Sequence, residues 1–454
     1  MKETIHIYHT NDLHSHFENW PRIRSFLQKR KQWHEEEKEA VYLFDIGDHV
    51  DRSHPFTEGT LGKGNVELLN KVNYDAVTIG NNEGITLDYS SLYTLYDQAT
   101  FDVTIANLYN KEKEYPKWME PHLIYETSSG VRIGVIGVTA YFQPFYSSLG
   151  WNITDPFLEL QAQLDRIRKK TDIIVVLSHL GIHDDEKMAQ EFPEIDLILG
   201  AHTHHILHAG KEVNQTLLGA AGKFGFYVGH VMIEVDTEDH TIISKTARLY
   251  EHHELPETSN EKQEIEQWFE LGKTQLQKPV AHLNTALTVD WFRPSPLAQL
   301  LSDAILEWCQ ADCAFLNAGL LLDSLPKGNV TKYDLHQILP HPINPCTVEL
   351  TGAELKEVLR QTLDPEMPHI QVKGLGFRGK IMGTFLYSNV LFSKENQSLR
   401  IGDKDMDPKK TYTVATVDMF TFGHFFPELH RAKKHYFMPE FLRDILEWKL
   451  NHRR

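Results

Sequence analysis

Cysteine is scarce: three residues in 454 cannot build a disulfide scaffold. Cys309 and Cys313 stand four apart in a helix-like stretch and Cys346 stands alone, which is how small core residues are distributed. No run approaches the roughly 18 apolar residues of a membrane span. The opening Met1 to Thr10 (MKETIHIYHT) lacks the charged-then-apolar order of a secretion signal. The expectation is a soluble, cytoplasmic chain with no membrane partner. Basic residues are the minority, 46 Lys and Arg against 63 Asp and Glu, and the net charge of −17 argues against a surface for polymeric nucleic acid or anionic lipid. Repeats and low-complexity tracts are missing too. What the chain does have is 41% hydrophobic residues and eight Trp, enough for real cores, and a length that suggests two domains. It also has 26 His, more than a fold needs and a first hint of metal chemistry.

Through the first 250 residues short β-branched runs alternate with amphipathic stretches. The runs are Ile5 to Tyr8, Val41 to Phe44, Ala76 to Ile79, Val103 to Ala106, Ile133 to Val138, Ile173 to Leu177 and Leu197 to Leu199. Leu160, Leu164 and Ile167 recur at helical spacing between two of them. This half reads as α/β, layered α/β/α, with strand direction left open. The charge-rich segment Pro256 to Lys278 carries Ser259 as a possible cap and a sparse apolar stripe of Ile265, Trp268, Phe269 and Leu276, so it predicts a connecting helix that Pro279 ends. The expected organisation is a domain over 1–255, a connecting helix over 256–280 and a second globular domain over 281–454.

The polar residues that follow the runs carry the chemistry. After the first comes Asp12-Leu13-His14, after the second Gly47-Asp48, after the third Gly80-Asn81-Asn82-Glu83; the sixth ends in His179 and the seventh in His202-Thr203-His204. The carboxyl ends of strands are where open α/β sheets place ligands. Asp, His and Asn suit first-row divalent metals, and the pairs Asp12/His14 and His202/His204 can each face one side of an extended segment. Any one of these motifs alone reads as a turn or a cap. Five strand ends together point to a pair of metals, an arrangement suited to clamping the oxygens of a phosphoryl displacement.

These motifs, TNDLHSH (Thr10 to His16), GDHVD (Gly47 to Asp51), NYDAVTIGNNE (Asn73 to Glu83), LSHLG (Leu177 to Gly181) and GAHTH (Gly200 to His204), resemble the calcineurin-like metallophosphoesterases, specifically the 5′-nucleotidase and 2′,3′-cyclic phosphodiesterase family. FLNAG (Phe315 to Gly319) and LTGAELKEVL (Leu350 to Leu359) resemble that family's C-terminal domain, and Gly80 to Thr86 looks closest to its cytoplasmic YunD-type branch. The resemblance implies a β-sandwich core flanked by helices, followed by an α+β 5′-nucleotidase-type domain. It implies two divalent ions, Mn, Zn or similar: one held by Asp12, His14, Asp48 and His204, the other by Asp48, Asn81, His179 and His202, with Asp48 bridging. The implied activity is hydrolysis of a small phosphate ester, a nucleotide or nucleotide-like molecule, in nucleotide catabolism.

Three positions depart from the family pattern. Its catalytic His is Asn82 here, the Asp that orients that His is Ile85, and a substrate-binding Arg is Leu322. Asn82 can donate a hydrogen bond to a phosphoryl oxygen but cannot deliver a proton, and loss of general-acid help costs about 10²- to 10⁴-fold. Expected substrate contacts in the second half are Arg293, Asn317, His341 at the place of one base-stacking ring, Arg378 in the Gly-rich turn, and Phe420 with Phe422 near the second ring. The competing reading is a nucleotide-binding regulatory protein on a catalytically weakened fold.

Overall fold

A computed structural model describes residues 2–392 and 399–452, and these divide into two compact units, Met1–Gly272 and Lys273–Arg454. In the first unit the strands are β1 (Lys2–Thr10), β2 (Ala40–Asp45), β3 (Ala76–Val77), β4 (Asp102–Thr104), β5 (Leu108–Tyr109), β6 (Met119–Glu120), β7 (Leu123–Glu126), β8 (Arg132–Thr139), β9 (Asn152–Ile153), β10 (Ile173–His179), β11 (Leu197–Gly200), β12 (Lys211–Val213), β13 (Thr216–Gly219), β14 (Tyr227–Asp236) and β15 (Ile242–Glu251). One sheet runs β15-β14-β1-β2-β3-β4-β6 and the other β12-β13-β11-β10-β8-β7. Strands β1 to β4 and β6 are mutually parallel, as are β8, β10, β11 and β13, while β14 and β15 join the first sheet antiparallel at its β1 side and β7 and β12 close both edges of the second antiparallel. All seven predicted runs are strands.

The two-residue period of a strand explains how the layers separate. Ile173, Val175 and Leu177 point between the sheets, where they meet Ile5, Ile7, Phe44, Val231 and Ile233 in one core. Their neighbours Ile174 and Val176 point the other way, onto Leu160, Leu164, Ile167 and Met188 of two covering helices. The helix Pro156–Ile167 forms because Asp155 caps it, accepting from the Phe157 and Leu158 amides, and because Pro156 presets its first turn. This is the expected sandwich with helical layers. Within the segment expected to connect the halves, Glu261–Leu276 is helical with Trp268 and Leu276 buried, and the boundary between the two compact units falls inside this helix, after Gly272.

In the second unit the five-stranded sheet orders Phe385–Ser388, Cys313–Asn317, Thr411–Val417, Pro345–Thr351 and Lys433–Tyr436, and only the Cys313–Asn317 and Thr411–Val417 pair is parallel. The helices Pro296–Cys309 and Leu442–Asn451 bury Leu301, Ile305, Ile445 and Leu446 in its core, giving the expected α+β unit. All three cysteines are buried and free, but Cys313 opens a strand; the helix stops at Cys309, where Gln310 turns left-handed at φ 51°.

Asp418 is sealed in this second core with its Oδ2 accepting from the Asn344 amide, and burial pushes its carboxyl up to about 7. A raised carboxyl favours the fold fully below its unfolded pKa, and that contribution is lost as pH rises through about 7. Between pH 4 and 8 the second unit is therefore expected to lose on the order of a few kcal/mol. Asp418→Asn should flatten that slope, which pH-dependent urea melts would reveal.

Candidate metal centre

The carboxyl ends of β1, β2, β10 and β11, together with the turn after β3, meet at one point. Backbone bonds draw the turns together: the Asp12 amide donates to Gly47 O (3.0 Å), His14 to Asp48 O (2.8 Å) and Ala201 to Ser178 O (3.0 Å). Two groups of ligand-type atoms result, Asp12 with His14 and His204, and Asp12 with Asp48 and His179, the atoms in each within 4.8 Å of one another. Asp12 Oδ1 lies 3.7 Å from His14 Nε2, 3.5 Å from His204 Nε2 and 3.9 Å from His179 Nε2. Asp48 Oδ2 reaches both groups, 3.7 Å from His14 Nε2 and 3.4 Å from His179 Nε2. The His202 ring is 5.4 Å from that of His179, and its amide donates to Asp12. Asn81 Oδ1 and His179 Nε2 are buried without a hydrogen-bond partner.

The pairs Asp12/His14 and His202/His204 are not extended, as their alternation suggested. Their φ values are 50°, 48°, 71° and 58°, and Asp48 has 50°. Left-handed backbone at a non-glycine residue costs about 1–3 kcal/mol and persists only where the surroundings enforce it. Here each strand has ended, and it is left-handed turns, not the alternation of a strand, that bring Asp12 with His14 and His202 with His204 to the centre.

Charge is balanced inside the cluster. Burial alone would raise Asp12, but hydrogen bonds from His14 and His204 hold its carboxyl well below the usual range. Burial would lower His14 and His179, yet Asp12 and Asp51 raise the first to about 10 and Asp48 raises the second to about 9. His202, buried and beside His179, falls to about 4. His179 Nδ1 donates to Ile46 O at 2.6 Å, which turns its Nε2 toward the carboxylates.

Asn82, expected to hold a phosphoryl oxygen, is buried and already engaged. Its side-chain nitrogen lies 2.9 Å from His14 Nδ1 and donates to Val50 O at 3.0 Å; its oxygen accepts from Asn81, and its amide donates to Asp48 Oδ1 at 2.7 Å. The geometry makes it a brace for His14 and Asp48. Glu83 carries a function the motif alone did not reveal. Its carboxylate accepts from the Asp48, Val50 and Gly80 amides at 3.0, 2.8 and 2.9 Å, pinning two turns together. Burial, then Asp48, push that carboxyl to about 7. Glu83→Gln would turn an NH₂ against a backbone donor, with about 1–3 kcal/mol of stability lost. Metal affinity is expected to fall about 10–100-fold, the usual effect of disturbing groups that orient ligands; a metal titration monitored by calorimetry checks this.

In the second unit Asn317, His341 and Arg378 gather at one turn. His341 Nε2 donates to Leu320 O (2.6 Å), the Arg378 amide donates to His341 Nδ1 (2.8 Å), and Asn317 Nδ2 donates to Met382 O (2.6 Å). Asn317 Oδ1 is buried without a partner, and Arg293 is exposed. Two expected contacts need correction. Phe420 is fully buried among Phe315, Phe385 and Phe426 and offers no face to a base. His341 is 1% exposed, with both ring nitrogens engaged and one face against Phe377, so it braces the Arg378 backbone and has no free ring to stack.

The fold and this cluster define a metallophosphoesterase. The calcineurin-like phosphoesterase family model matches residues 5–205 and the 5′-nucleotidase C-terminal domain matches 274–425. The metallophosphoesterase YunD of Bacillus subtilis is 44% identical over 99% of this chain and 100% of its own length. The putative 5′-nucleotidase of Staphylococcus aureus, solved with alpha-ketoglutarate, superposes with a TM-score of 0.71 at 19% identity over 99% of this chain and 97% of its own. The NAD nucleotidase of Haemophilus influenzae gives 0.68 at 15% identity over 99% and 97%. The chain belongs to the calcineurin-like phosphoesterases that carry a 5′-nucleotidase C-terminal domain, and it is a metal-dependent phosphoester hydrolase. No described helix is long and apolar enough to cross a membrane.

Proposed function

We propose that the chain hydrolyses a nucleotide or nucleotide-like phosphate ester with two divalent metal ions, Mn, Zn or similar. The observation that carries this is the pair of ligand groups meeting at Asp12 and Asp48, with Asn81 Oδ1 buried and unpartnered beside them and His179 Nε2 facing the Asp48 carboxylate. Unpaired buried acceptors are costly, and mixed carboxylate, amide and imidazole donors suit such cations. Asp12, His14, Asp48 and His204 would hold one ion; Asp48, Asn81, His179 and His202 would hold the other. When bound, the ions supply the positive charge that phosphoryl oxygens need and make a water acidic enough to attack.

The residues themselves do the positioning. The Ile46 carbonyl orients His179, Asn82 supports His14 and Asp48, and Glu83 fixes the turn that presents Asp48. The nucleotide assignment draws on relatives named 5′-nucleotidase and NAD nucleotidase. Arg293, Arg378 and the free Asn317 Oδ1 are the proposed contacts of the second unit. The setting proposed is cytoplasmic nucleotide catabolism. The test is phosphate release from nucleoside monophosphates, cyclic nucleotides and dinucleotides by protein reconstituted with Mn²⁺, Zn²⁺ or Co²⁺. No turnover with any pairing sinks the proposal.

The engagement of Asn82 favours a second reading, a nucleotide-binding regulator with weak turnover. It requires tight nucleotide binding by calorimetry with negligible hydrolysis, and activity gained in the Asn82→His, Ile85→Asp double variant.

A further inference from the structure

A second cluster of imidazoles lies on the other face of the first sheet. His6 on β1 alternates with Ile5 and Ile7, so while they enter the core it faces outward, under the helix Trp20–Glu37 that brings His34. His230 on β14 stands beside Tyr8 in the strand register. All three histidines are buried, and one ring nitrogen of each lies within 4.8 Å of the others. Four steps of strand at about 3.3 Å each set His6 roughly 13 Å from the carboxyl end of β1 at Thr10, and its side chain leaves the opposite face from the inter-sheet core, so this is no part of the centre above.

The hydrogen bonds give each ring a direction. Arg248 Nε donates to His230 Nδ1 (3.3 Å), so His230 Nε2 donates to His6 Nδ1 (3.0 Å). Tyr8 Oη donates to His34 Nε2 (3.0 Å), and His34 Nδ1 donates to Glu39 Oε2 (2.8 Å). One atom is left over: His6 Nε2 is buried without a hydrogen-bond partner and faces Glu39 Oε2 at 3.4 Å. Tetrahedral ligands 2.0–2.1 Å from a zinc ion stand about 3.3 Å apart.

We propose that His6 Nε2, His34 Nδ1 and the Glu39 carboxylate bind a divalent cation of the imidazole-preferring class, zinc or cobalt, at a third metal site. His230 and Tyr8 are its outer partners. Binding reverses both tautomers: His6 Nδ1 then donates to His230, and His34 Nε2 to Tyr8, which is how metal-bound imidazoles are usually oriented. Each ring keeps one proton throughout: it leaves one nitrogen to water and the other nitrogen takes one back, so no proton is gained or lost overall and no bond to carbon changes. The rings of His6 and His34 now stack, centroids 3.9 Å apart, and one must turn about its χ2 for the lone pairs to converge. Burial, then His34, keep His6 neutral with a pKa near 4, as a ligand must be. Glu39 is 38% exposed and lines a surface cleft of about 570 Å³ with Lys2, Glu3 and Lys38, so its carboxylate is open to solvent. Arg248 opposes the site, since the reversed His230 no longer accepts from it.

The test compares tightly bound metal per chain after the full-length protein is equilibrated with Zn²⁺ or Co²⁺ and gel-filtered. Wild type is expected to retain one equivalent more than His34→Gln and one more than Glu39→Gln, and Arg248→Gln to bind that equivalent more tightly. The difference between proteins is the readout, so it stands whether the first centre holds two ions or none. Glu39→Gln, at a half-exposed position, keeps the test decisive if His34→Gln fails to fold. Equal retention in wild type and Glu39→Gln overturns the proposal. So does a Glu39→Gln effect confined to the pH dependence of melting, which would make the cluster a proton network only.

Discussion

Replacing Asp48 by Asn is expected to remove phosphate release almost entirely while leaving the chain folded. Asp48 Oδ1 accepts from the Asn82 amide, a role an Asn oxygen can keep, whereas Oδ2 faces His14 and His179 across the two ligand groups. What is lost is charge at the point where both ions are proposed to meet. Metal stabilisation of a phosphoryl transition state is worth several kcal/mol, and at 1.36 kcal/mol per decade its loss is ~10³-fold or more in kcat/KM. Stability separates this from simple unfolding. Ligands that bind only the native state raise the melting temperature by mass action, so added Mn²⁺ or Zn²⁺ should raise it in wild type and far less in Asp48→Asn, each protein measured against its own metal-free midpoint. Full turnover in the variant would show that Asp48 bridges nothing.

Much of this centre is legible in the sequence because parallel strands read as short apolar runs, and their ends are marked by Asp, His and Asn. Each of the seven runs is a strand, and their ends bring Asp12, His14, Asp48, His179 and His204 together. The left-handed turns are not legible, since no pattern in Asp12-Leu13-His14 distinguishes a strand end from the φ of 50° that the opposing Gly47 carbonyl helps to fix. The strands β14 and β15 escaped the reading as well: β15 is a half-buried edge with Lys245 and Arg248 among its apolar residues, and its period-2 signal is correspondingly weak. Phe420 shows the limit of carrying a role by position. In DMFTFG either Phe could face outward, and the structure buries Phe420 completely and leaves Phe422 partly exposed, a choice made by Phe315, Phe385 and Phe426 far away in sequence. The cluster of His6, His34 and His230 is the same lesson for chemistry, since 224 residues separate two rings whose nitrogens lie 3.0 Å apart.

Gly47→Ala tests whether those turns are as tightly enforced as their backbone suggests. Gly47 has φ +84°, and a Cβ there would stand 2.2 Å from Gly80 N and 2.5 Å from Ile79 C. Both neighbours are backbone, so no side chain can rotate away. A left-handed alanine costs about 1–2 kcal/mol, and forcing atoms into a packed site adds about 1–3 kcal/mol, so a loss of ~2–5 kcal/mol in urea unfolding is expected. Gly374 isolates the first contribution: it has φ +75° with nothing within 4 Å of a Cβ, so Gly374→Ala should show the conformational cost alone. The difference between the two variants then measures the clash. That clash acts on function too, because Gly80 precedes Asn81 and donates to the Glu83 carboxylate that holds Asp48. Pushing the two turns apart therefore separates ligands proposed for the same ion, and Gly47→Ala should lose metal affinity as well as stability, whereas Gly374→Ala should keep its metal affinity in the same calorimetric titration.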